Sequence, residues 1–83
     1  MIKKIMFSAP WCGGCKVMKP IVEEIGGIEI INVDDYGELV EKYKIMSLPT
    51  FVLDDGVEIK MKYGSMPKNI LEDFFNDGQC KPL

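Results

Sequence analysis

The 83-residue sequence predicts an α/β domain: a four-stranded mixed sheet flanked by three helices, in the order βαβ-αββα. Three observations carry this. Two short strand-like runs, residues 2–7 and the largely β-branched 28–33, bracket a stretch whose apolar residues recur at helical spacing, the pattern of a strand-helix-strand unit with parallel pairing. A second pair of strand-like runs is separated only by Asp54-Asp55-Gly56, where Asp-Gly favours a tight hairpin turn. A final stretch after Pro67 carries Ile70, Leu71, Phe74 and Phe75 as an apolar helical stripe.

The first strand ends at Ser8-Ala9-Pro10, because proline cannot donate to a sheet ladder and holds its predecessor in extended geometry. From Cys15 a helix is expected, with Val17, Met18, Ile21, Val22 and Ile25 as its apolar set, a kink at Pro20 and a stop at Gly26-Gly27. The run at 28–33 reads as a strand buried on both faces. Asp35 with Glu38 has capping-box spacing and opens a helix carrying Leu39, Val40 and Tyr43. After the loop Met46-Ser47-Leu48-Pro49 come strands at 50–53 and 57–63. In the latter Val57, Ile59, Met61 and Tyr63 alternate with Glu58, Lys60 and Lys62. Gly78 is expected to end the last helix.

At this length one domain spanning residues 1–83 is expected. The chain is 47% hydrophobic and 28% charged with a net charge of −3, which suits a soluble globular protein and disfavours nucleic acid as a ligand. No apolar run reaches the roughly 20 residues of a membrane span, and the apolar stretch behind Lys3-Lys4 is too short for a signal peptide, so a cytoplasmic location is expected. Histidine is absent, which removes Ser/His/Asp and Cys/His nucleophile systems.

The chemistry lies in Cys12-Gly13-Gly14-Cys15. The spacing puts two sulfurs one helical turn apart at a strand-to-helix junction, close enough to form a reversible disulfide. Cys12, just ahead of the first turn, meets unpaired amides and the positive end of the helix dipole, which supply thiolate at neutral pH, so it is expected to attack. Cys15, inside the helix and shielded, would resolve the mixed disulfide. A Cys-x-x-Cys pair is also half of a zinc site, to which Cys80 and a carboxylate would have to be added, but Trp11 and the proline loop have no part in such a site. Neither a metal nor a cofactor is expected. Lys16 and Lys19 read as solvated helix positions, and Cys80 as part of a tail without a role.

Ala9-Pro10-Trp11-Cys12-Gly13-Gly14-Cys15-Lys16, then Pro20, Leu48-Pro49-Thr50 and Gly64, resemble the thioredoxin family over nearly the whole chain. The resemblance implies the minimal thioredoxin fold and a monomeric protein disulfide reductase fed by a thioredoxin-reductase-like electron donor. Ribonucleotide reductase or peroxide-handling enzymes are the implied clients. It also implies a cis peptide bond before Pro49, a Leu48 backbone that pairs with an extended substrate segment, and an apolar docking patch of Trp11, Gly13, Met46, Leu48 and Gly64. Several positions depart from the family. The chain begins at what is the family's central strand, giving it the outline of a glutaredoxin. Met6 and Ile30 stand where the family keeps a buried aspartate and its lysine partner, so water or Cys12 must accept the Cys15 proton. Gly14 replaces the family's proline, which favours the flexible dithiol and implies a potential higher by about 10 to 20 mV. Two other readings are a glutathione-dependent, glutaredoxin-like reductase, against which the Cys-Gly-Gly-Cys loop speaks, and a non-catalytic docking module of the same fold.

Overall fold

The computed structural model describes residues 2–76. The elements run β1 (Lys3–Ser8), α1 (Gly13–Ile25), β2 (Glu29–Asn32), α2 (Gly37–Lys42), β3 (Thr50–Asp54), β4 (Ile59–Tyr63) and α3 (Lys68–Asn76). The expected order and mixed sheet are both present. The strand order is β2-β1-β3-β4, with β1 parallel to β2 and antiparallel to β3, and β3 antiparallel to β4.

The period-2 alternation of β1 and β3 sorts the core into two layers. Met6, Phe51 and Leu53 face α1 and α3, where they join Met18, Val22, Leu71 and Phe75. Ile5, Phe7 and Val52 face the other way and pack with Ile31 and Tyr43, under Leu39 and Val40 of α2. Aromatic contacts tie each layer. Phe51 meets Phe75 edge-on with centroids 6.3 Å apart, and Phe7 meets Tyr43 at 5.9 Å. Below the second layer the Tyr43 hydroxyl donates to Asp54 Oδ2 at 2.8 Å.

Helix α1 begins two residues earlier than the apolar spacing predicts, because the Cys12 side chain serves as its N-cap. It ends where Gly26-Gly27 predict: Gly26 takes φ +80 and its N–H donates to Val22 O at 3.0 Å. Pro20 lies inside α1 on its exposed face.

Three expectations are corrected. The capping box at Asp35 and Glu38 does not form. Tyr36 is the N-cap of α2 and makes no side-chain cap bond, because the backbone at 33–35 is turning out of β2, with the Asp35 N–H donating to Asn32 O and the Asp34 N–H to Asn32 Oδ1. The hairpin is wider than an Asp-Gly two-residue turn. Asp55 Oδ1 accepts the N–H groups of Val57 and Glu58, and Asp54 Oδ1 that of Gly56, so Val57 is drawn into the loop and stands 95% exposed, and β4 starts at Ile59. These bonds hold both carboxyls below their ordinary 3.8: for Asp54 the Gly56 amide comes first and Tyr43 second, for Asp55 the amides of Glu58 and Val57. Finally, β2 is an edge strand: Ile31 is buried, Ile30 half-buried and Glu29 exposed. The expected helix stop at Gly78 and the third cysteine, Cys80, lie outside the described residues. Among the described residues no helix is long and apolar enough to cross a membrane.

Candidate active site

The central strand β1 delivers Ala9, Pro10 and Trp11 to the C-terminal edge of the sheet, and the chain turns there directly into α1, with the Cys12 N–H bonded to Ala9 O at 3.1 Å. Cys12 Sγ accepts the N–H of Cys15 at 3.2 Å, satisfying one of the amides that open the helix. Both cysteines are free thiols, 8% exposed at Cys12 and 3% at Cys15. The Cys15 thiol is pushed up to about 11, first by burial and then by its hydrogen bond to Cys12, while the Ala9 backbone pulls the other way. The Cys12 sulfur thus lies over the first turn of α1, within hydrogen-bond reach of the Cys15 backbone.

Leu48-Pro49 is a cis peptide bond. Pro49 is buried and packs against the start of α1: a Cβ built on Gly14 would stand 3.3 Å from Pro49 Cδ and 3.1 Å from Ser65 Oγ. Gly64, at φ +88, sends its N–H to Pro49 O at 2.9 Å, a conformation that suits glycine alone. The Leu48 backbone makes no hydrogen bond among the described residues.

Trp11 is 70% exposed and Met46 88%. Together with Leu48 they wall a groove of about 300 Å³ that opens on Cys12, its floor completed by Val33, Val40 and Ile45. The Trp11 indole N–H donates to Asp34 Oδ2 at 3.3 Å, which fixes the ring as one wall. Of the expected patch, Trp11, Met46 and Leu48 come together around this groove. Gly13 is open above the helix start, with nothing within 4 Å of a Cβ built there, and Gly64 borders Pro49 rather than the groove. The sequence reading missed Val33, Val40, Ile45 and Asp34. Val33 and Val40 read as residues of the second strand and second helix, Ile45 past that helix carried no signal, and only their position at the sheet edge brings them to the groove.

A family model described as thioredoxin matches residues 3–77. The chain belongs to the thioredoxin family. It is 40% identical to the thioredoxin of Bacillus subtilis, over 84% of this chain and 75% of that protein, and 40% identical to the thioredoxin of Mycoplasma genitalium, over 86% and 76%. Its fold superposes on the thioredoxin of Malassezia sympodialis with a TM-score of 0.82 at 23% identity, covering 95% of this chain and 76% of the other. For a mutant thioredoxin from Halobacterium salinarum the TM-score is also 0.82, at 25% identity and with 99% and 78% covered. The thioredoxin fold and the thiol–disulfide oxidoreductase activity expected from the sequence both stand on these matches.

Proposed function

We propose that this thioredoxin family member reduces protein disulfides with Cys12 as the attacking sulfur and Cys15 as the resolving one. The observation that carries the assignment is the asymmetry of the pair. Cys12 Sγ accepts an opening amide of α1 and lines the groove, whereas Cys15 does not line it, and burial first of all pushes its thiol up to about 11. In the first step the Cys12 thiolate bonds to one client sulfur, the client disulfide breaks, and the departing sulfur takes up a proton. In the second, Cys15 gives up its proton to water and attacks Cys12, the mixed disulfide breaks, and the second client thiol leaves. Two electrons have passed to the client and a Cys12-Cys15 disulfide remains, which an external dithiol donor of the thioredoxin-reductase type must reduce.

Trp11, Gly13, Met46, Leu48, Pro49 and Gly64 make the docking surface. The unpaired Leu48 backbone takes an extended client segment as an added strand, and the groove takes a neighbouring apolar side chain. On this reading the protein works in the cytoplasm, as a monomer, on clients such as ribonucleotide reductase or peroxide-handling enzymes.

The test is dithiothreitol-driven insulin reduction by the parent, Cys12→Ser and Cys15→Ser chains. Serine keeps an N-cap oxygen at position 12, so loss of activity there reports chemistry and not unfolding. The parent is expected to accelerate precipitation, Cys12→Ser to be inert, and Cys15→Ser to accumulate a mixed disulfide visible by mass spectrometry. A parent without activity would leave a docking module. Turnover of a glutathione mixed disulfide without any thioredoxin reductase would favour the glutaredoxin-like reading.

A further inference from the structure

The groove beside Cys12 does not end at Met46. Its floor residues Val40 and Ile45, with Met46, also line a second concavity along α2 that holds Glu38, Glu41 and Lys44. The two adjoin along these side chains, and the trough they form places an apolar seat next to the attacking sulfur and acidic side chains beyond it. Lys42 lines neither concavity: its Nζ lies 5.2 Å from the Tyr43 ring centroid, and its charge acts on Asp54. Among the described residues that line the trough, Lys44 alone opposes Glu38 and Glu41. The other flank of the site has the opposite sign. There Lys16 and Lys19 line a cavity beside Cys15 whose walls, among the described residues, carry no acidic side chain.

Charge is therefore segregated across the cysteine pair, and an apolar seat lies between the sulfur and the acidic end. An apolar floor holds a bulky side chain with little regard to its identity, while charges at the rim select partners by sign and steer their approach. We infer that the preferred clients are disulfides whose attacked cysteine is followed, moving outward along the trough, by a bulky apolar residue and then by Lys or Arg. The apolar side chain sits among Trp11, Val40 and Met46, and the basic one faces Glu38 and Glu41. This rests on the proposed attack by Cys12 and names the class of segment that reaches it.

Two disulfide-bridged peptides, identical except for Arg or Glu outside a leucine next to the attacked cysteine, are reduced by the pre-reduced protein and their kcat/KM compared. At low salt the Arg peptide is expected to react about tenfold faster, a ratio that shrinks toward one at high salt. Glu38→Gln/Glu41→Gln should remove most of the preference and Glu38→Lys/Glu41→Lys should reverse it, with circular dichroism checking the fold of each. Equal rates for the two peptides at low salt, or a preference that both folded double variants retain, overturn the inference while leaving disulfide reduction by Cys12 intact. If neither peptide is reduced and insulin is not reduced either, the proposed function fails and the inference falls with it.

Discussion

Cys15 loses most of its access to water and keeps its proton to about pH 11. Met6, fully buried in the same cluster, supplies no titratable group beneath it. Closing the internal disulfide requires this thiol to deprotonate, so the resolving step is expected to quicken with pH well beyond neutrality. In a rapid-mixing experiment that follows Trp11 fluorescence, the second step should speed up as pH rises above neutrality, since burial, which comes first among the causes of the Cys15 shift, persists in the mixed disulfide. A flat profile would mean that some group on the protein takes the proton. The same shift bears on stability. The folded thiol holds its proton to higher pH than the unfolded one, so its contribution is complete below the ordinary value of 9.0 and is lost as pH rises toward about 11. Tyr43, pushed up to about 12 by burial first and by Asp54 second, acts in the same direction from its ordinary 10.0 upward. At the residue scale the sequence showed which two sulfurs matter. The size of the Cys15 shift depends on burial, which no motif records.

At the scale of elements, the start of α1 joins three separate pieces of chain. The Cys12 side chain caps it, Gly14 lies against Pro49 and Ser65, and Gly64 ties to the Pro49 carbonyl. Gly14 thus has a packing role besides the chain entropy it adds to the dithiol form. Proline is tolerated in the first turn of a helix, and the Ser65 hydroxyl is exposed and free to rotate away from an added Cβ. Gly14→Pro is therefore expected to lower the redox potential by about 10 to 20 mV in a glutathione titration. An unchanged or raised potential would show that crowding against Pro49, and not entropy, dominates. The strand and helix order was legible because hydrophobic periodicity is local. The failures were local too. Asp35-x-x-Glu38 has capping-box spacing, but the backbone at 33–35 is committed to the turn out of β2. Asp54-Asp55-Gly56 has turn chemistry, but two carboxylates each collect amide hydrogens and widen the loop.

At the scale of the molecule, α1 and α3 seal one face of the sheet, while the six-residue α2 covers less of the other. The outer part of that second face is left open, with Ile59 and Tyr63 exposed on β4. Stability therefore rests on the first layer, and within it on Phe75, which is 1% exposed and packs edge-on against both Phe51 and Phe74. Phe75→Ala is expected to cost about 3 to 5 kcal/mol, against a total of roughly 4 to 12 kcal/mol for a chain of this size. Urea denaturation of the parent and the variant measures the difference, and a loss under about 1 kcal/mol would show that the layer collapses around the gap.

By itself the sequence determined the element order, the cysteine pair at the helix start and the family, because each of these is written in residues that are neighbours or share one periodic segment. Only the tertiary structure decided that Val33, Val40 and Ile45 form a groove floor, that Asp34 holds Trp11, and that acidic and basic side chains gather on opposite flanks of the pair. Those residues come from α1, α2 and the segments that follow β1, β2 and α2, and folding brings their surfaces together at one end of the sheet. Spacing along a chain encodes faces of single elements. It does not encode which edges of different elements meet.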